Sequence, residues 1–207
     1  MTDNPSLDAA YALKGKDAVR DLYETWAETY DSGFADDQGY QLPKEVAVAY
    51  AEAGGTGPVL DVGAGTGLGA PELIAKGIDV IDGVDLSPEM LAVAAKKGLY
   101  RNLIEADITK PLPGNPNYAG IVSAGTFTLG HVGVDGLKAL VDGAAPRTLF
   151  VISVNAKHYE SAGFAAYLAA SADHTTDLTF KEVKIYNERA DPAHQDDVAR
   201  LLIFRIT

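Results

Sequence analysis

Cysteine is absent from all 207 residues, which excludes disulfides, thiolate metal ligands and a cysteine nucleophile. Histidine is scarce, and the four, at positions 131, 158, 174 and 194, show no ligand spacing, so no metal is expected. Basic runs are also missing. Lys96-Lys97 is the nearest approach to one, and the formal charge is −12. A phosphate backbone calls for clustered lysine and arginine, so nucleic acid is not an expected partner. No apolar run has the length of a membrane span, and the opening MTDNPSLDAAYALKG lacks the basic start and apolar centre of a signal peptide. The expectation is a cytoplasmic protein without a membrane partner, its acidity serving solubility. Oligomeric state is not legible.

What is present is an alternating rhythm. Asp17 to Asp31, DAVRDLYETWAETYD, sets Val19, Leu22, Tyr23, Trp26 and Tyr30 at helical spacing. Residues 32–41 have turn composition, and PKEVAVAYAEAGG reads as a second helix with Pro43 in its first turn and Gly54 as its stop. From residue 57 short apolar strands alternate with helices: PVLDVG, then a helix over 67–76; IDVIDGVDL, then PEMLAVAAKKG capped by Ser87; LYRNLIEAD; AGIVSAG, then VDGLKALVDGA; RTLFVISVN, then HYESAGFAAYLAAS as one helix. LTFKEVKIYN and DVARLLIFRIT close the chain without a helix between them. The pattern predicts a three-layer α/β fold with a mostly parallel seven-stranded sheet and an antiparallel C-terminal strand pair. Residues 1–55 read as a tail and N-terminal helical cap, and 56–207 as the core of a single structural domain.

The stretch VLDVGAGTGLGA, Val59 to Ala70, carries the strongest signal. Glycines after a strand let a backbone approach a nucleotide cofactor closely. Gly65, Gly67 and Ala70 fit the G-x-G-x-x-G/A fingerprint of an NAD enzyme. Asp61, Gly63, Gly65 and Gly67 fit the D-x-G-x-G-x-G of an S-adenosylmethionine (SAM) site. Both readings place an acid at the end of the second strand for ribose hydroxyls, and Asp85 stands there.

Three features favour SAM. Asp61 at the strand end would repel a pyrophosphate but suits a cofactor with an ammonium and a sulfonium. Asp107-Ile108 ends the third strand with a carboxylate for an adenine amine and an apolar side chain for its ring. The closing strand pair differs from the six parallel strands of an NAD domain. VLDVGAGTG, GVDLSPEML, EADI and YAGIVSAGTFTLGHV, in this order, resemble the class I SAM-dependent methyltransferases, with the Rossmann-like fold of that superfamily. The N-terminal Y-x-x-W-A-x-x-Y-D, Tyr23 to Asp31, resembles its small-molecule branch, including the Williams–Beuren-region methyltransferase-like proteins.

The resemblance implies methyl transfer from SAM to a small-molecule acceptor, with S-adenosylhomocysteine released. It places Gly63, Ala64, Gly65 and Gly67 around the methionine part of SAM and Asp85 on the ribose. Leu86 and Met90 would line the adenine pocket, unless they only pack helix on sheet, and Asp107 with Ile108 would face the adenine edge. Ser123 would lie beside the reactive methyl. Tyr23 or Tyr30 would close over SAM, and Trp26 would touch the acceptor; the alternative is a core stripe docking the cap.

Position alone makes His131 the candidate general base and acceptor contact, because it follows the fourth strand, where parallel sheets bind ligands. His158, after the fifth strand, is a weaker candidate. Two spellings are set aside: Tyr40-Gln-Leu-Pro-Lys44 precedes the first strand, out of place for a short-chain dehydrogenase, and Asn115-Pro-Asn-Tyr118 reads as a turn. A non-catalytic SAM-binding sensor remains the alternative function.

Overall fold

In a computed structural model the described residues are 27, 29–113 and 117–207. Tyr23, Trp26 and most of the first predicted helix lie outside them, as do Asn115 and Pro116. A π-helical turn, Asp31–Asp36, occupies a stretch whose composition suggested only turns. The elements that follow are α1 (Leu42–Glu52), β1 (Val59–Val62), α2 (Gly69–Ile74), β2 (Ile81–Asp85), α3 (Pro88–Lys97), β3 (Asn102–Glu105) and β4 (Gly120–Phe127). After them come α4 (Val134–Gly143), β5 (Leu149–Asn155), α5 (Ala156–Ser161), α6 (Phe164–Ala170), β6 (Thr175–Lys184) and β7 (Val198–Ile206).

The strands form one sheet in the order β3-β2-β1-β4-β5-β7-β6. Neighbours from β3 through β5 are parallel, whereas β7 runs antiparallel to both β5 and β6. Chain order reverses between β1 and β4, and ligands of open α/β sheets bind outside the strands' carboxyl ends at such a switch point.

Apolar residues cover both faces of the sheet, as continuous rather than alternating strand patterns require. On one face Leu42, Val46 and Tyr50 of α1 and Leu73 of α2 pack with Val59, Ile81, Val122 and Val151. On the other, Leu137 and Leu140 of α4, Tyr159 of α5 and Phe164 and Leu168 of α6 pack with Leu60, Val62, Ile152 and Leu202. Phe150 and Phe204, directly paired across β5 and β7, stack with ring centroids 4.8 Å apart. α1 therefore shares its core with β4 and β5 instead of riding above it.

Two boundaries differ from the sequence pattern. The predicted helix over HYESAGFAAYLAAS breaks into α5 and α6, because Gly163 takes φ +79°. β4 runs past the expected AGIVSAG to Phe127, with its register shifting between Ser123 and Phe127 around Gly125 at φ +86°. Among the described residues no helix is long and apolar enough to cross a membrane.

Candidate active site

The carboxyl ends of β1, β2 and β4 surround a cavity of about 380 Å³. Its shape begins with the loop after β1. The N–H groups of Gly63 and Ala64 both donate to Val84 O, at 2.8 and 3.0 Å, folding the loop against β2. Gly63 sits at φ +68°, and a Cβ there would come within 1.9 Å of Thr126 Oγ1. Thr126 Oγ1 in turn donates to Val62 O at 3.0 Å, so the loop and the end of β4 are locked together. Gly65 is different: nothing lies within 4 Å of where its Cβ would be, so it leaves open space.

Asp85 completes the loop from β2. Its carboxylate accepts from Gly65 N at 2.8 Å and Ser87 N at 2.9 Å. Burial pushes Asp85 above the ordinary carboxylate range, and the backbone donors of Ser87, Gly65 and Leu86 oppose that shift. Ser87 then caps α3, accepting from Met90 N at 3.1 Å with Pro88 in the first turn, which aims Leu86 and Met90 at the cavity.

Asp61, at 4% exposure, reaches the cavity from β1. Burial pushes its carboxyl up to about 6; the hydroxyl of Tyr100, donating to Oδ2 at 2.7 Å, pulls it down, and the charge of Asp85 adds to the rise. Past β3, Asp107 Oδ1 accepts from Thr109 N and Oγ1 at 3.0 and 2.6 Å, and Ile108 is buried beside it.

Tyr30, Asp61, Gly63, Ala64, Gly65, Asp85, Leu86, Met90, Asp107, Ile108 and His131 all line this one cavity. Three other expectations fare differently. Ser123 is fully buried and donates to Val62 O at 2.8 Å, away from the lining. The extension and bulge of β4 carry Ala124, Gly125 and Thr126 to the cavity in its place. Gly67 backs onto Tyr100 and Ala94, where a Cβ would meet the tyrosine ring at 3.0 Å. His158 is a core residue, its Nε2 2.9 Å from Val132 O and its ring edge-on to Phe164. No cluster of three or more metal-ligating side chains occurs among the described residues.

Among the described residues the lining contains four aspartates, at 61, 85, 107 and 135, and neither lysine nor arginine. Such a wall disfavours a pyrophosphate and favours a cation. Residues 59–147 match a family described as a methyltransferase domain. Methyltransferase-like protein 27 of Homo sapiens is 34% identical over 126 residues, which are 58% of this chain and 51% of that protein. The chain thus spans about half the length of the curated relative it matches. Magnesium protoporphyrin IX methyltransferase (ChlM) from Synechocystis PCC 6803, solved with bound SAM, shares the fold at TM-score 0.67 and 18% identity, over 94% of this chain and 98% of that one. A methyltransferase domain is thus matched over residues 59–147, on a chain with the fold of that SAM-bound enzyme. A TehB-like SAM-dependent methyltransferase from Corynebacterium glutamicum shares that fold at TM-score 0.61 and 21% identity, over 90% of this chain and 99% of that one.

Several site residues went unnoticed in the sequence. Tyr100 stands one turn of chain before β3 and touches the site only through Asp61. Tyr40, set aside as a chance spelling, lines the cavity, and its ring packs 5.8 Å from that of Tyr186. Thr126 and Asp135 follow a bulge and a loop that no periodicity foretells. Asp31, whose carboxylate accepts from Thr66 of the glycine loop, had a signal as the last letter of Y-x-x-W-A-x-x-Y-D.

Proposed function

We propose that this chain is a SAM-dependent methyltransferase that transfers the methyl group to a small-molecule acceptor and releases S-adenosylhomocysteine. The observation that carries the reading is the cavity wall: among the described residues, four aspartates without a lysine or arginine, beside a glycine loop that is open at Gly65. The residues present suit the cofactor. Asp61 faces its ammonium end, Asp85 has lone pairs left for ribose hydroxyls, and Asp107 has them for the adenine amine. Leu86, Met90 and Ile108 supply the apolar surface for the ring. Tyr30, in the lining, covers the cofactor; the sequence offers Tyr23 as the alternative for that role and Trp26 as the acceptor contact.

When bound, SAM supplies a methyl group already activated by its sulfonium. The chain's own task is to place the acceptor and exclude water, which holding two reactants together accomplishes largely by orientation. His131, on the loop after β4 and in the lining, takes the proton of a hydroxyl or ammonium acceptor. A small acceptor agrees with the lack of a basic surface run and the −12 formal charge.

Calorimetric titration with SAM, S-adenosylhomocysteine and NAD tests the reading. Both adenosyl compounds should bind and NAD should not; binding of NAD alone would sink it. For the chemistry, His131→Ala should lower turnover and remove the acid limb of its pH profile while leaving cofactor affinity within about twofold. An unchanged pH profile removes His131 from proton transfer.

A further inference from the structure

Asp61 and Tyr100 lie on separate sides of the glycine loop. Tyr100 Oη donates its proton to Asp61 Oδ2 at 2.7 Å. The ring has no freedom to leave. A Cβ on Gly67 or Gly83 would stand 3.0 Å from its two edges, and one on Gly69 would stand 2.6 Å from Asp61 Oδ2. Three glycines, one of them in the fingerprint, thus serve the Tyr100–Asp61 contact and not the cavity itself.

The contact uses Oδ2. Among the described residues no hydrogen bond is donated to Asp61 Oδ1, and Asp61 lines the cavity. We propose that Tyr100 is a positioning residue for cofactor capture, holding the Asp61 carboxylate ionised and turned so that its second oxygen meets the ammonium of SAM. The inference rests on the function proposed above. It goes beyond that reading by giving a role to a side chain that never touches the cofactor. The titratable groups acting on Asp61 are Tyr100, from the segment before β3, and Asp85, from the end of β2. Asp85 repels a second negative charge, and burial opposes any charge at all. Among the described residues Tyr100 is the one group that favours the carboxylate. Its own proton is secure, since burial and the adjacent Asp61 push the phenol far above its ordinary range.

Removing the hydroxyl leaves burial and Asp85 unopposed, so Asp61 takes up its proton at a higher pH and loses its attraction for a cation. The test is S-adenosylhomocysteine affinity of Tyr100→Phe, by calorimetry from pH 5.5 to 8.5. Affinity should fall about tenfold or more at pH 6.5, as expected for a lost charge-assisted hydrogen bond. The deficit should shrink to about threefold or less at pH 8.5. In an Asp61→Asn background the same change should have no further effect. A deficit equal at every pH, or one that persists in Asp61→Asn, overturns the proposal and makes Tyr100 a packing residue only.

Should Tyr100→Phe fail to fold, the unsubstituted protein answers the same question. The ring-carbon NMR resonance of Tyr100 bearing the hydroxyl should titrate with Asp61 and shift again on adding S-adenosylhomocysteine. A resonance constant from pH 5 to 8 overturns the proposal. Unsubstituted protein that binds neither adenosyl compound at any pH fails the functional reading itself and takes this inference with it.

Discussion

Thr66 of the glycine loop donates its hydroxyl to Asp31 Oδ1 at 2.5 Å, across 35 positions of chain. The other oxygen of Asp31 holds Lys97 Nζ, also at 2.5 Å, at the last turn of α3. One carboxylate therefore ties the segment carrying Tyr30 to both the loop and the helix that shape the cavity. Asp31→Ala should weaken S-adenosylhomocysteine binding about three- to tenfold while lowering the melting temperature by only a few degrees, because the pair is partly exposed. Limited proteolysis should cut near residues 27–36 faster. Unchanged affinity and cleavage would show that the latch has no part in binding.

Gly63 and Gly65 are two residues apart and should fail in different ways. A methyl at Gly63 collides with Thr126 and meets a left-handed backbone, so Gly63→Ala should lose about 2 kcal/mol or more of stability. Gly65→Ala carries the backbone cost of about 1 kcal/mol but no collision, and its methyl enters the open cavity space. It should remain folded and lose cofactor affinity at least tenfold. Chemical denaturation and calorimetry on both variants check the contrast, and similar stability losses would refute it.

Acid response separates the carboxylates. In the folded chain Asp61 is pushed up to about 6 by burial, against about 3.9 unfolded. Between those values the folded state binds more protons, so stability falls as pH rises through that window and levels above it. Asp85 shifts in the same direction. Asp82 and Asp197 run the other way. Burial raises both, but hydrogen bonds from Arg101, Tyr118 and Asn102 to Asp82, and from His194 and Lys157 to Asp197, outweigh it. Their contributions are complete above about pH 4 and disappear as pH falls through their folded values. Cofactor-free protein should therefore lose melting temperature from about pH 4.5 to 6.5, and Asp61→Asn should flatten much of that slope. A slope identical in the variant assigns it elsewhere.

Asp82 anchors the opposite end of β2. It is 3% exposed, with Oδ1 accepting from Arg101 Nε at 2.9 Å and Asn102 Nδ2 at 3.0 Å. Oδ2 accepts from Arg101 Nη2 at 2.6 Å and from the buried Tyr118 hydroxyl at 2.9 Å. Asp82→Ala strands that hydroxyl and should cost about 3 kcal/mol. It lines no part of the cavity, so the affinity of the folded fraction for S-adenosylhomocysteine should stay within about twofold. A large affinity loss at temperatures where the variant is folded would contradict this.

The alternation of strands and helices, the antiparallel closing pair and the acids at 61, 85 and 107 were legible because each depends on local pattern: an apolar run, its end, and the residues that follow. Ser123 was misplaced for a local reason as well. Gly125 permits a bulge that prolongs β4, and AGIVSAG reads equally well as a strand that stops. Tyr100 and Thr126 were illegible for a different reason. Their partners lie 39 and 64 positions away in sequence, and contacts of that kind exist only once β1 has paired with β2 and β4. The sequence also credited Gly67 to the cofactor, when its neighbour is the Tyr100 ring.

The four lining aspartates bear on turnover as well as capture. A sulfonium enters such a cavity carrying positive charge and, once its methyl is gone, is a neutral thioether. Under the proposed function the same wall should therefore hold the spent cofactor less firmly than the fresh one. The difference grows as ionic strength falls, since fewer ions screen the wall. Low salt should thus widen the affinity gap between the two, so that relief from product inhibition is written into the charge of the walls and needs no moving part.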